Sequence, residues 1–446
     1  MELTCTVNPY IPVTHQRHLV YVLIEVDPGD VQATPATSLN LGLVVDASRS
    51  MSIPILTDAQ FQQLRAMGMA KQKVIDGVKV WQFEVPKGHH IEAPSNMDFT
   101  KKALRFVADY IRATDRFSLV AFAEDALLMV SNTLGTRKNE LLQAVDRLDH
   151  IDLGDETYMA RGMAMGYKQI QAVPTTSTDL RRMIVLTDGY TKDEQEACTW
   201  ARQAKQAGIV VSTMGLGLDF NEELLISLAD SSGGESYFID DPQEIPGVFR
   251  QELARAQSIT WRDLALDLDL PTDVTLRRAY RVRPTIAPAA MANARIDLGH
   301  LEADRSPAAL LELIVPPRPE GAYRLAQATL RGSPPEAAAE QDIGSQDILV
   351  RYTERPSLAK QTDPNLMSVV QAVSAFKLQS QAIDEAGRGN VAGATRRLRR
   401  AGEHLIEMGQ EDLGQTMLVE ADLLEKEGQM SSEGTKKLRY GTRKLR

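Results

Sequence analysis

The chain has 446 residues, with 50 Lys and Arg against 60 Asp and Glu, a formal net charge of −10. That balance speaks against nucleic acid as a partner, because phosphate backbones are bound by clustered positive charge. With 43% hydrophobic and 25% charged residues, wholesale disorder is also excluded.

No apolar run reaches the ~18 to 20 residues that a membrane helix needs. Residues 1–7 have neither the basic region nor the long apolar core of a secretory signal. These features predict a cytoplasmic protein without a membrane partner, of a length suited to about three domains. Cys5 and Cys198 match neither a zinc spacing nor a disulfide framework and read as reduced, structural thiols. The adjacent His89 and His90, followed by Glu92, read as a solvated turn rather than a metal site.

Residues 5–12 and 18–26 are rich in β-branched side chains and predict strands, followed by a polar linker over 27–38. Residues 39–46 (LNLGLVVD) form a nearly continuous apolar run ending in a carboxylate, as expected of a strand buried on both faces of a parallel sheet. Strands are then expected over 116–123, 182–187, 209–215 and 235–239, alternating with helices over 100–113, 137–148, 158–173, 192–207, 221–231 and 242–256. This βα alternation predicts an α/β fold, a doubly wound, mostly parallel sheet over 39–256. Such sheets bind ligands at the carboxyl ends of their strands. Residues 52–98 interrupt the rhythm as an insertion, with a helix expected over 58–71 and a hairpin over 73–85 turning at Asp76-Gly77.

From 257 to 356 the pattern alternates between Pro-rich turns, with strands expected over 259–270, 274–282, 294–298, 308–315, 321–330 and 347–352 and a long loop over 332–346. It predicts an antiparallel β sandwich. Residues 364–428 predict a helical bundle of three amphipathic helices, 364–385, 391–408 and 412–426, with Leu366, Val369, Val370 and Val373 as a core stripe. Residues 429–446 carry six basic side chains and one acidic one and are expected to form an exposed, mobile tail.

Chemistry concentrates after the first buried strand, in Asp46-Ala47-Ser48-Arg49-Ser50. In an extended segment, residues two apart point the same way, so one carboxylate and two hydroxyls converge. Hard oxygen ligands of low charge suit Mg2+ or Mn2+. Asp188 ends another strand and Thr157 opens a helix after Asp155 and Glu156, so both are expected at the same sheet edge; Thr157 also reads as a simple helix cap.

Asp46, Ser48, Ser50, Thr157 and Asp188 resemble, in order, the metal-ion-dependent adhesion site of the von Willebrand factor type A family: Asp-x-Ser-x-Ser, then Thr, then Asp before Gly. Gly215-Leu-Gly217 with residues 220–225 looks like that fold's fifth strand and following helix. The resemblance implies Ser48, Ser50 and Thr157 as direct ligands of Mg2+ or Mn2+, Asp46 and Asp188 as anchors of water and charge, and an open position for a partner's Asp or Glu. Arg49, where Gly is frequent, and the insertion after Ser50 depart from the pattern.

The wider chain resembles bacterial intracellular proteins in which this domain is embedded in a β sandwich, residues 1–36 supplying strands, and is followed by helices. That arrangement is loosely similar to the inter-alpha-trypsin inhibitor heavy chain group. It implies a scaffold or adaptor, not an enzyme, working with an ATPase, kinase or phosphatase.

Two alternatives remain at this level. A metal-dependent hydrolase or phosphotransferase would use an Asp after a buried strand as nucleophile, but Ser48 stands where haloacid dehalogenase-type phosphatases carry their second Asp, and Gly215 and Gly217 lack a third glycine. A docking tail is the other: Thr435 and Thr442 each precede a leucine by three positions, Leu438 and Leu445, the phosphothreonine pattern read by forkhead-associated domains.

Overall fold

The computed structural model describes residues 1–29, 38–75, 78–83, 93–173, 180–303, 305–334 and 339–445. The chain opens with β1 (Glu2–Val7), β2 (Tyr10–Pro12) and β3 (His18–Asp27). Residues 5–12, expected as one strand, divide at Asn8-Pro9, and the two pieces enter different sheets.

β4 (Leu39–Asp46) is buried at every position. The insertion that follows holds α1 (Asp58–Ala66) and an antiparallel hairpin of β5 (Ala70–Ile75) and β6 (Val78–Phe83). Its helix stops at Ala66 rather than at 71, because Gly68 takes a left-handed φ of 72°. Asp76-Gly77, His89, His90 and Glu92 lie outside the described residues.

The alternating region continues through α2 (Asn96–Tyr110), β7 (Arg116–Phe122), β8 (Ala126–Leu134), α3 (Lys138–Arg147), α4 (Met159–Gln171) and β9 (Leu180–Thr187). It closes with α5 (Glu194–Gln206), β10 (Ile209–Leu216), α6 (Glu222–Ser232), β11 (Ser236–Ile239) and α7 (Ile245–Gln257). The six-stranded sheet has the order β11-β10-β9-β4-β7-β8, parallel except for β8 against β7. β8 escaped the sequence reading because its apolar residues run consecutively and Leu127 and Leu128 are exposed at this sheet edge.

Successive β4 side chains serve opposite layers. Leu41, Leu43 and Val45 pack with Val107 of α2, Leu141 of α3 and Phe249 of α7, while Val44 packs with Met163 of α4, Ala201 of α5 and Leu228 of α6. α4 lies unusually close to the sheet: a Cβ on Gly162 or Gly166 would come within 2.7 Å of Phe122 or Val44.

The second unit is a sandwich built from both ends of the doubly wound segment. Its later strands are β12 (Ile259–Asp269), β13 (Thr275–Arg283), β14 (Ala287–Pro288), β15 (Met291–Ala292), β16 (Arg295–Glu302), β17 (Ala308–Val315), β18 (Gly321–Ser333) and β19 (Gln341–Thr353). One sheet has the order β1-β3-β17-β13-β14 and the other β15-β16-β12-β18-β19-β2. Much of the expected loop over 332–346 is instead ladder, since Gly332 pairs with Gln341 and Leu330 with Gly344. β17 is buried at every position except Ile314: Ala309, Leu311 and Leu313 face the sandwich core, and Ala308 and Leu310 face the helices.

Those helices are the short α8 (Pro356–Ala359), then α9 (Pro364–Gly387), α10 (Val391–Glu407), α11 (Glu411–Glu427) and α12 (Ser432–Arg443). α12 corrects the expectation of a mobile tail and adds a fourth long helix to the expected three. Gly428, at a φ of 76°, ends α11, and the Ser431 side chain caps α12 by accepting from the Gly434 amide.

The basic charges of α12 do not solvate it; they dock it on α6. Lys436 pairs with Glu222 at 3.2 Å and Arg439 with Glu222 and Glu223 at 3.4 and 3.1 Å. Arg443 holds Asp230 at 2.6 and 2.8 Å. Leu438 and Thr442 are fully buried, and the Thr442 hydroxyl donates to the Leu438 carbonyl at 2.9 Å or to Gln379 Oε1 at 3.1 Å. A phosphothreonine reader therefore has no access to Thr442 or to Leu438 and Leu445 in this fold, and the docking-tail alternative loses its basis. Leu438→Ala is expected to cost about 2–5 kcal/mol, as for other buried large-to-small changes. Chemical denaturation checks it; a cost within error of zero would mean that α12 is not part of the cooperative fold.

Candidate metal centre

β4 and β9 are adjacent and parallel, with Val45 opposite Leu186. Their ends therefore deliver Asp46, Thr187 and Asp188 to one edge. The Thr187 hydroxyl donates to Asp46 Oδ2 at 2.5 Å, and Asp46 Oδ1 accepts from the Ser48 amide at 2.8 Å, which curls the chain back after β4. A turn of 3-10 helix over Arg49–Ser52 then brings Ser50 under Ser48, their hydroxyls 3.0 Å apart. Ser50 Oγ donates to Asp188 Oδ1 at 2.6 Å, and Asn96 Nδ2 donates to Asp188 Oδ2 at 3.0 Å.

Thr157 joins from the third side. The helix cap of α4 is Tyr158, which makes no side-chain capping bond, so Thr157 does not serve as the simple cap that its position permits. The free amides are met from the loop after β9: Met159 N donates to Thr191 Oγ1 at 2.9 Å and Ala160 N to Asp193 Oδ2 at 3.0 Å. The Thr157 carbonyl accepts from the Lys192 amide at 2.9 Å. This stitching holds Thr157 beside Gly189, where an added Cβ would lie 3.6 Å from Thr157 Oγ1. Among the described residues that hydroxyl has no hydrogen-bond partner.

The five side chains predicted from sequence thus meet at one place, and Asp46, Ser48, Thr157 and Asp188 are buried. Burial pushes the Asp46 carboxyl up to about 6, with Asp188 adding to the effect and the Ser48 and Thr187 hydrogen bonds opposing it. Asp188 is also raised, first by burial and further by Asp219, against its hydrogen bonds from Ser50 and Asn96. Converging carboxylates at the end of a sheet are a site that a cation would neutralise.

Among the described residues no group of three or more His, Cys, Asp or Glu side chains is arranged to hold a metal. The available set is two carboxylates and three hydroxyls, all hard oxygens, which fits Mg2+ or Mn2+ and gives a soft metal nothing to select.

Sequence reasoning missed Thr187, Asn96 and Asp219. Thr187 was recoverable, since the residue level with Asp46 on the next parallel strand must face it. Asn96 carried only a helix-start signal, the Ser95–Asp98 capping box, and Asp219 carried none. Arg49, the departure from the family pattern, pairs with Asp155 at 3.2 Å, both largely exposed, and such pairs contribute little to stability. The edge also carries exposed apolar groups close in sequence to the ligands: Ile53, Ile55 and Tyr190 are 57%, 40% and 57% exposed.

The fold is that of a von Willebrand factor type A domain, and the family model of that name matches residues 92–251. The match begins after Asp46, Ser48 and Ser50, which the insertion separates from the rest of the domain. Residues 364–446 match the Sll0103-like, C-terminal alpha-helical domain. The chain therefore carries a type A domain followed by an Sll0103-like helical domain.

Among relatives, the uncharacterized protein sll0103 of Synechocystis is 22% identical over 314 residues, 68% of this chain and 73% of its own. YfbK of Escherichia coli is 22% identical over 174 residues, of which the chain spans only 30% of YfbK's length. Among solved structures, a von Willebrand factor type A protein from Catenulispora acidiphila superposes with a TM-score of 0.74 at 17% identity, covering 100% of this chain and 97% of that one. The ArnB paralog VWA2 from Sulfolobus acidocaldarius gives 0.55 at 16% identity over 99% and 98%. At these identities the likeness is one of fold, and it extends through the sandwich and helices as well as the type A domain.

Proposed function

We propose that this chain is a metal-dependent interaction scaffold, in which Ser48, Ser50 and Thr157, with Asp46 and Asp188 behind them, hold Mg2+ or Mn2+ against an Asp or Glu of a partner protein. The observation that carries this reading is the convergence of all five side chains, including the unpartnered Thr157 hydroxyl, at the carboxyl edge of β4 and β9. Proteins with type A domains typically mediate protein–protein interaction, and neither the family models nor the relatives indicate an enzymatic family.

A bound cation would supply one charge-assisted, geometrically exacting contact to a carboxylate. The chain's own residues do the rest. Thr191 and Asp193 hold the start of α4, Asn96 orients Asp188, and Ile53, Ile55 and Tyr190 offer apolar area around the polar centre, the composition of an interaction hot spot. Asp46 is a poor candidate for a hydrolase or phosphotransferase nucleophile, since it is fully buried with each oxygen already accepting a hydrogen bond. Among the described residues no helix is long and apolar enough to cross a membrane. A cytoplasmic ATPase, kinase or phosphatase presenting a surface carboxylate fits the proposal.

Affinity capture with the full chain tests it, in Mg2+ and in EDTA, with wild type, Asp188→Ala and Tyr190→Ala. Capture is expected in metal alone, absent for Asp188→Ala and weakened by more than ~1 kcal/mol for Tyr190→Ala. Equal capture in EDTA would sink the reading.

A further inference from the structure

A cavity of about 400 Å³ lies where the type A domain, the sandwich and the helices meet. It is separate from the metal centre: Arg182, on its wall, and Asp188 stand at opposite ends of β9, about 20 Å apart at strand rise. Domain junctions are favoured places for small-molecule pockets, which span roughly 300–1,000 Å³.

Its walls are of two kinds. Leu23, Val282, Ile286, Val369, Ala372 and Leu445 make an apolar side, drawn from the sandwich and the helices. The other side is built from guanidiniums and carboxylates, with Arg182, Arg255, Arg281, Arg283 and Arg305 against Glu235, Glu252 and Glu302.

Most of these charges are internally matched. Arg182 pairs with Glu252 at 3.0 Å, and Arg305 with Glu235 and Glu302 at 3.1 and 3.3 Å. Arg255 pairs with Glu235 at 2.5 Å, and Arg283 reaches Glu25. Arg281 is the exception, because its partner Asp230, at 3.0 Å, is also gripped by Arg443. One carboxylate thus serves two guanidiniums and leaves a local excess of positive charge on the cavity wall.

An oxyanion beside the guanidiniums that line the cavity balances that excess through charge-assisted hydrogen bonds.

We propose that this junction cavity binds a small amphipathic anion, a carboxylate or phosphate carried on a compact apolar body. The oxyanion sits by Arg182 and Arg281, and the body lies against Val282, Ile286, Val369 and Ala372. Because all three units line the cavity, occupancy stabilises their mutual arrangement.

The probe is 1-anilinonaphthalene-8-sulfonate, titrated by fluorescence against the full chain. Saturable binding of one probe per chain is expected, displaced by octanoate or phenyl phosphate but at least ~10-fold less well by inorganic phosphate or benzyl alcohol. The stronger of the two competitors identifies the headgroup class.

Arg281→Gln is expected to weaken binding at least tenfold, and Ala372→Trp, which fills the cavity, to abolish it, with far-ultraviolet circular dichroism confirming the fold of each. Should Ala372→Trp not fold, Arg281→Gln and the competition series still decide. Non-saturable binding, binding unchanged by Arg281→Gln, equal competition by inorganic phosphate or benzyl alcohol, or loss of binding in EDTA would each overturn the proposal.

Discussion

Asp46→Ala is expected to abolish Mg2+ and Mn2+ binding measured by calorimetry, with affinity falling by more than ~100-fold, beyond the ~10–100-fold that loss of an outer-shell partner costs. In the proposed site Asp46 would supply negative charge behind the hydroxyls, and it also shapes them: by accepting from the Ser48 amide at 2.8 Å it sets the turn that brings Ser48 and Ser50 together. Asp46→Asn retains an acceptor for that amide while removing the charge, so it separates the two contributions. If charge dominates, Asn and Ala lose binding alike; if shape dominates, Asn retains part of it. Metal at ~100-fold its dissociation constant should also raise wild-type stability by about 2.7 kcal/mol. That increment should vanish in Asp46→Ala and follow whatever affinity Asp46→Asn retains. Unchanged affinity in Asp46→Ala would remove the metal centre from this edge altogether.

Glu252→Ala is expected to be among the most destabilising single changes, about 3–5 kcal/mol, because breaking a buried ion pair leaves its partners charged and unmatched. Glu252, 1% exposed on α7, accepts from Arg182 at 3.0 Å, from Ser212 Oγ at 2.7 Å and from the Tyr237 hydroxyl, and faces Arg255 at 3.3 Å. It ties β9, β10 and β11 to α7. Burial works to raise its pKa, but Arg182 and Arg255, with hydrogen bonds from Tyr237 and Ser212, outweigh it and hold the carboxyl below its usual 4.5.

The folded-state value is depressed, so the stabilisation is present above pH ~4.5 and is lost as pH falls through the folded value. Urea midpoints should therefore drop with acidification in wild type and drop less in Glu252→Gln, which lacks the titrating group. A change below ~1 kcal/mol at pH 7 in Glu252→Ala would show that water or repacking satisfies the two guanidiniums.

The candidate site was unusually legible because it is local at each of its parts. Asp46, Ser48 and Ser50 are two residues apart on one turn, and Asp188 ends a strand whose apolar run announces a buried central position. Only Thr157 needed the fold to separate its two readings. The capping work falls to Thr191 and Asp193, two side chains that no spacing rule links to residue 157. Legibility failed where a property depended on a distant surface. β17 looked like an ordinary sandwich strand, yet the helices cover its second face. The C-terminal segment looked solvated because its six basic residues were judged without Glu222, Glu223 and Asp230, which receive three of them.

The sequence by itself determined the periodicities: β4 as a strand buried on both faces, the βα alternation around it, the sandwich and helical composition, and the oxygen-rich turn at Asp46–Ser50. These follow from side-chain spacing along a single element, where the 3.6- and 2-residue repeats act over a few ångströms. Tertiary structure alone decided the docking of α12, the sharing of Asp230 between Arg281 and Arg443, and the cavity between the three units. Each of those is set by charges and surfaces more than 50 residues apart in sequence, and no local propensity carries information about which distant element will supply the partner.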